Sequence, residues 1–122
     1  MMKKHRIGTY ELCVVDDVQD NYEYGKMYLV GQNGVYWLCV FHCPCGCGTL
    51  LELLLVAEAK PHWTVRPVDE GFVDLSPSIW RIRGCGSHFF IKNNQVIWVS
   101  GRPPKSSRRK SNIKTYLKDG KM

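Results

Sequence analysis

The eight residues Phe41-His42-Cys43-Pro44-Cys45-Gly46-Cys47-Gly48 constrain this chain more than any other stretch. Three cysteines at alternate positions are too close to bridge one another without strain. The glycines beside them let the backbone turn sharply enough for several side chains to converge on one point. A second group, Gly84-Cys85-Gly86-Ser87-His88, supplies a fourth cysteine and a histidine. Zn²⁺ takes thiolate sulfur and imidazole nitrogen, usually four ligands in a tetrahedron. The pattern therefore predicts a metal ion, zinc, held between two distant turns, with Cys43, Cys45, Cys47, Cys85 and His88 as candidate ligands. Cys45, Cys47, Cys85 and His88 are the preferred four, which leaves Cys43 spare or behind them.

Two other uses of the cysteines fit less well. The chain starts Met1-Met2-Lys3-Lys4-His5-Arg6 with no apolar stretch behind it, so a secretory leader is not expected. A cytoplasmic setting keeps thiols reduced and disfavours disulfides. An iron–sulfur cluster wants a further closely spaced cysteine. Cys13 and Cys39 lie within apolar runs and read as small core hydrophobes.

At 122 residues the chain is long enough for one small domain with a modest core, which a metal staple would reinforce. No apolar run, Leu53 to Ala57 among them, approaches the ~20 residues of a membrane helix, so no membrane partner is expected. The net charge of +6 is unevenly placed: residues 101–122 carry a balance of +7, and the first hundred carry −1. Residues 1–100 thus read as a folded zinc-binding unit, and residues 101–122 as a basic, disordered tail. Lys and Arg over residues 102–121 suit contact with nucleic acid or an acidic protein, and equally a solvated end.

Patterning favours strands. Ile7 to Val15 is rich in β-branched and aromatic residues, and Asp16 to Gly25 is polar and reads as a loop. Met27 to Val30 and Val35 to Phe41 flank Gly31-Gln32-Asn33-Gly34, a hairpin signal. Leu50 to Val56 is dense enough for a buried strand, with a short helix as the other option. His62 to Arg66 alternates and is expected to stop at Pro67. Val68 to Leu75 reads as a turn and short strand, and Ser76-Pro77-Ser78-Ile79-Trp80 as a turn. His88 to Lys92 and Gln95 to Ser100 form a final hairpin around Asn93-Asn94. The expected fold is mainly β, with a small α+β arrangement as the alternative: one zinc-stapled antiparallel β domain.

Three motifs in order carry a resemblance: Cys43-Pro44-Cys45-Gly46-Cys47-Gly48, then Leu75-Ser76-Pro77-Ser78-Ile79, then Cys85-Gly86-Ser87-His88-Phe89-Phe90-Ile91. Together with Asn93, Asn94, Val96 and Trp98 they resemble a family of small bacterial proteins long known as a domain of unknown function, over roughly Val35 to Trp98. Some members are encoded beside a ubiquitin-like protein and its activating and conjugating enzymes. The resemblance implies a peptidase that processes or removes the modifier, and hence a ubiquitin-like protein or its conjugates as partner. Arg81 and Arg83, before the second cysteine group, depart from the family pattern, and the basic tail lies outside the shared region.

Two chemistries can serve such a peptidase. With three protein ligands, zinc keeps a place for water and can lower its pKa toward ~7 for attack on a carbonyl. With four ligands it is closed and structural, and the number of sulfurs favours this role. Glu52 would be the base for a zinc-bound water. The serine route offers Ser78, Ser76 and Ser87, all within the family motifs, but a serine needs a base to take its proton. That base is His88 if His88 does not bind metal, with His42 and His62 as the other choices. Against both stands a turn whose hydroxyls only cap the backbone. The leading expectation is a zinc-binding hydrolase; the alternative is a non-catalytic zinc module that binds a modifier, a conjugating enzyme or nucleic acid.

Overall fold

The computed structural model describes residues 4–99. The expected disordered tail and its contact with nucleic acid lie outside the described residues. Within them the chain forms eight strands: β1 Glu11–Val15, β2 Lys26–Gln32, β3 Val35–His42, β4 Leu50–Leu54, β5 Thr64–Asp69, β6 Phe72–Trp80, β7 His88–Lys92 and β8 Gln95–Trp98. They make two four-stranded sheets, ordered β1-β2-β3-β4 and β5-β6-β7-β8. The mainly β expectation holds, and there is no helix among the described residues. None therefore is long and apolar enough to cross a membrane.

Alternation along the strands builds one core between the sheets. Met27, Leu29, Cys39, Phe41, Leu51 and Leu53 come from the first sheet, and Val73, Leu75, Ile79, Phe89 and Ile91 from the second. Phe41 meets Phe89 edge-on across the layers, with ring centroids 6.5 Å apart. Cys39 is buried there as expected, whereas Cys13 is only half-buried and stays out of that core. Residue 13 falls on the strand face opposite Leu12, which does pack against the core.

Turn chemistry is where sequence and structure agree best. The β2–β3 hairpin turns at Asn33 and Gly34, both with positive φ, and the β7–β8 hairpin turns at Asn93 and Asn94, likewise positive. Buried Asn94 also ties this turn to the neighbouring hairpin: its Oδ1 accepts from the Val73 N–H at 2.9 Å and its Nδ2 donates to the Gly71 carbonyl at 2.9 Å.

Three expectations need correction. The pairing is not antiparallel throughout, since β1 runs parallel to β2. A parallel pair needs a crossover, and the polar Asp16–Gly25 loop supplies it, its Tyr22 ring lying against Tyr28. Pro67 does not end a strand, because β5 is an edge strand where a missing N–H is tolerated. Ser76 to Trp80 is the second half of β6 rather than a turn. Pro77 is accommodated there by a slip in register: Leu75 pairs with Ile91 and Ile79 with Phe89, so β6 carries two residues more than β7 between those pairs. Burial of Ile79 and renewed pairing with β7 outweigh the turn preference of Ser-Pro-Ser.

The segment before β1 stitches the two ends of the molecule together. Lys4 and Ile7 donate backbone N–H to the carbonyls of Gly46 and Pro44, at 3.1 and 3.0 Å. Further on, Tyr10 donates to Asn94 and Val96 to Gly8. Gly31 shows how tightly the first sheet is drawn at its own bulge, since a Cβ there would lie 2.1 Å from the Val35 carbonyl oxygen. Gly31→Ala is expected to destabilise the fold by about 1–3 kcal/mol, the usual cost of overpacking, measured as a lower urea midpoint with the slope unchanged.

Candidate functional site

Two groups of side chains lie side by side at one end of the second sheet. The first is built on the turn after β3. Cys43 donates its N–H to the Thr49 carbonyl at 2.8 Å, closing the loop on itself, and Gly46 and Gly48 take positive φ within it. Gly46 also meets the N-terminal segment so closely that a Cβ would stand 2.3 Å from the Lys4 carbonyl oxygen. The β6–β7 turn brings the fourth sulfur. Cys43 Sγ lies 3.7 Å from Cys45 Sγ and 3.5 Å from Cys85 Sγ, and the four sulfurs of Cys43, Cys45, Cys47 and Cys85 all lie within 4.8 Å of one another.

These separations suit a metal. Four sulfurs at about 2.3 Å from a common centre, tetrahedrally arranged, stand ~3.8 Å apart. The residues present therefore fit a tetrahedral ion such as zinc, and a four-sulfur shell leaves no position for water. The four thiols are electrostatically unequal, with Cys43 and Cys45 shifted up and Cys47 and Cys85 shifted down. Hydrogen bonds from Cys43 and then Cys45 hold Cys85 far below the usual thiol range, whereas bonding with Cys45 and Cys85, with burial, pushes Cys43 up. Burial opposes ionisation of Cys47, but the Thr49 hydroxyl and N–H bring it below the ordinary value.

Ser87 belongs to this group. Fully buried, its Oγ lies 3.1 Å from Cys85 Sγ and 3.7 Å from Cys43 Sγ. Glu52 is exposed on β4 and is not among the residues of the cluster.

His88 stands apart from the sulfurs. Its Nε2 lies 3.0 Å from Ser78 Oγ, so the structure places this candidate ligand on a serine instead. The register explains the meeting. Ile79 points into the core, so alternation sends Ser78 and Trp80 to the outer face of the sheet. Trp80 pairs with His88 across the strands, which brings the imidazole onto the same face as Ser78. The indole of Trp80 then lies flat on the imidazole, with centroids 4.5 Å apart and planes 4° from parallel. This stack holds the plane of the ring.

Ser78 is itself firmly held. It is buried, at 9 % exposure, and its carbonyl accepts the Trp63 indole N–H at 3.3 Å. The peptide between Ser76 and Pro77 is cis. Ser76 is exposed, and its carbonyl accepts the Thr64 hydroxyl at 3.4 Å. The other candidate bases face elsewhere. His62 Nδ1 lies 3.0 Å from the Ala59 carbonyl oxygen. His42 packs against Tyr24, and burial, helped by Lys4, lowers its pKa. Of the three serines, Ser78 is thus the one placed against an imidazole.

Two participants were not legible as such in the sequence. Trp80 reads as an ordinary anchor until its pairing with His88 is known. Arg81 reads as a departure from a pattern, yet its Nη1 lies 3.8 Å from Cys85 Sγ and 4.0 Å from Cys47 Sγ. The near-symmetric placing of Ile79-Trp80 and His88-Phe89 about the Cys85 turn was the signal available for a hairpin.

Residues 14–99 match the model of a family described as bacterial ubiquitination-like system serine protease (BubE). No curated protein and no solved structure matches the chain.

The geometry separates ligands from the histidine. Elemental analysis of the reduced protein is expected to give about one metal ion per chain, cut to trace by Cys85→Ser and unchanged by His88→Ala. Acidification should release the ion, because protons compete with it for the thiolates.

Proposed function

The chain belongs to the bacterial ubiquitination-like system serine protease family, and we propose that Ser78 is its nucleophile and His88 the general base. The single observation that carries this is the 3.0 Å contact between Ser78 Oγ and His88 Nε2. With the proton of the neutral imidazole on Nδ1, the lone pair of Nε2 accepts the serine proton.

The reaction follows from that geometry. Ser78 Oγ attacks the carbonyl at the C-terminus of a ubiquitin-like modifier as its proton passes to His88 Nε2. The bond from carbonyl carbon to leaving nitrogen breaks, the amine takes the proton from His88, and the modifier stays esterified to Ser78. Water then attacks the ester, giving its proton to His88, which returns it to Ser78 as the free carboxylate departs. The flat indole of Trp80 supports the imidazolium formed in both steps.

The metal in this reading is zinc, and its part is structural. Cys43, Cys45, Cys47 and Cys85 would hold it, supplying no nucleophile but fixing the turn that delivers β7. Reduced thiols at these positions suit a cytoplasmic setting. The substrate is a modifier extended at its C-terminus, or one joined to a target.

Cleavage of such a fusion by the purified protein tests the proposal. Ser78→Ala and His88→Ala are each expected to lower kcat/KM by ~10³-fold or more, with metal content intact, while Ser76→Ala stays near wild type. A fluorophosphonate should label Ser78 and no other serine. Absence of cleavage across plausible modifiers, or full activity in Ser78→Ala, would overturn the assignment and leave a non-catalytic zinc module.

A further inference from the structure

Arg81 lies between the two groups: it directly follows Trp80 in the chain, and its side chain reaches the sulfurs of Cys85 and Cys47. Its backbone sets the β6–β7 turn. The N–H donates to the Ser87 carbonyl at 2.7 Å, and the carbonyl accepts from Gly84 at 3.1 Å and Gly86 at 2.9 Å. These bonds directly follow the Trp80–His88 pair, so the turn that carries Cys85 also fixes the stack on the imidazole.

The side chain turns back over the sulfurs, half-buried, with Nη1 at 3.8 Å from Cys85 Sγ and 4.0 Å from Cys47 Sγ. Gly84 makes room for it. A Cβ at that residue would lie 2.3 Å from Nη2, 2.8 Å from Cζ and 3.3 Å from Nε of Arg81. Unlike Gly86, Gly84 has no left-handed φ, so the demand for glycine here is one of space. A guanidinium confined in this way is not a solvated surface charge.

Charge gives the arrangement a purpose. Four thiolates around a divalent ion leave a net charge of about −2, costly to hold beside a packed core. A guanidinium resting on two of the sulfurs offsets part of it, and groups behind metal ligands commonly alter metal affinity 10–100-fold.

We propose that Arg81 is a positioning residue that stabilises the metal-loaded thiolate cluster and, through the same turn, keeps Trp80 stacked on His88. The part concerning His88 rests on the serine-protease reading; the part concerning the cluster does not.

Arg81→Met, Arg81→Lys and Gly84→Ala separate these roles in the zinc-loaded protein. Release of zinc to a chromogenic chelator should run about 10–100-fold faster in Arg81→Met, with Arg81→Lys between it and wild type. Gly84→Ala should match Arg81→Met although the arginine is retained, because it displaces the guanidinium. The His88 ring protons, shielded by the stacked indole, should move downfield in Arg81→Met and Gly84→Ala. In cleavage assays these two should lose kcat with little change in KM. Zinc release at the wild-type rate in Arg81→Met overturns the proposal, as does faster release with unmoved His88 protons. Inactivity of the wild-type protein would sink the protease reading alone, since zinc release and the His88 resonance are read without substrate.

Discussion

Closure of the Cys43–Cys47 turn onto Cys85 is the contact on which this architecture depends. The two sheets share a core, but their ends are formed by loops with few apolar side chains. Cys43 continues from β3, and Cys85 sits in the turn between β6 and β7. Sulfurs of Cys43 and Cys85 brought to 3.5 Å across that gap tie the end of one sheet to the hairpin of the other. The approach is too long for a disulfide and matches the edge of a tetrahedral metal shell. The N-terminal segment reinforces the same corner through its bonds to Gly46 and Pro44.

The turns and the clustered cysteines were legible because each depends on local chemistry. Asn33-Gly34 and Asn93-Asn94 adopt the positive φ that their residue types favour. Cys43, Cys45, Cys47 and Cys85 are recognisable from spacing and flanking glycines. The parallel β1–β2 pair was not legible, because the Asp16–Gly25 loop carries no pattern that distinguishes a crossover from a hairpin. Nor was the strand character of Ser76 to Trp80. Local preference there favours a turn, and only pairing with β7, ten residues away, reverses it.

His88 illustrates why spacing alone misleads. Cys85 and His88 stand three apart, a familiar separation for two ligands of one ion, and within a helix they would share a face. In an extended chain the period is two. Ser87 faces the sulfurs, as its 3.1 Å approach to Cys85 shows, so residue 88 must face the other way. The same alternation sends Ser78 and Trp80 outward from the buried Ile79. One parity rule, applied on both strands of the hairpin, turns the histidine away from the sulfur cluster and towards the serine.

This division keeps two incompatible demands apart. A closed four-sulfur shell holds an ion well because no ligand is exchangeable, whereas a nucleophile must meet its substrate. Sharing one histidine between them would leave Ser78 without the base that geometry gives it. In the proposed reading, the Cys85 turn that closes the sulfur cluster also leads directly into His88, so the cluster would hold the pair in place without entering its chemistry. Catalytic groups held by packed, bonded neighbours lose less to disorder when the substrate arrives. Trp80 provides that support on the face of the imidazole, and Ser78, beside the register slip around Pro77, meets its Nε2. The sequence departs from regular β pairing beside Ser78, the residue proposed as nucleophile, and bulges that re-aim a side chain are over-represented next to active sites.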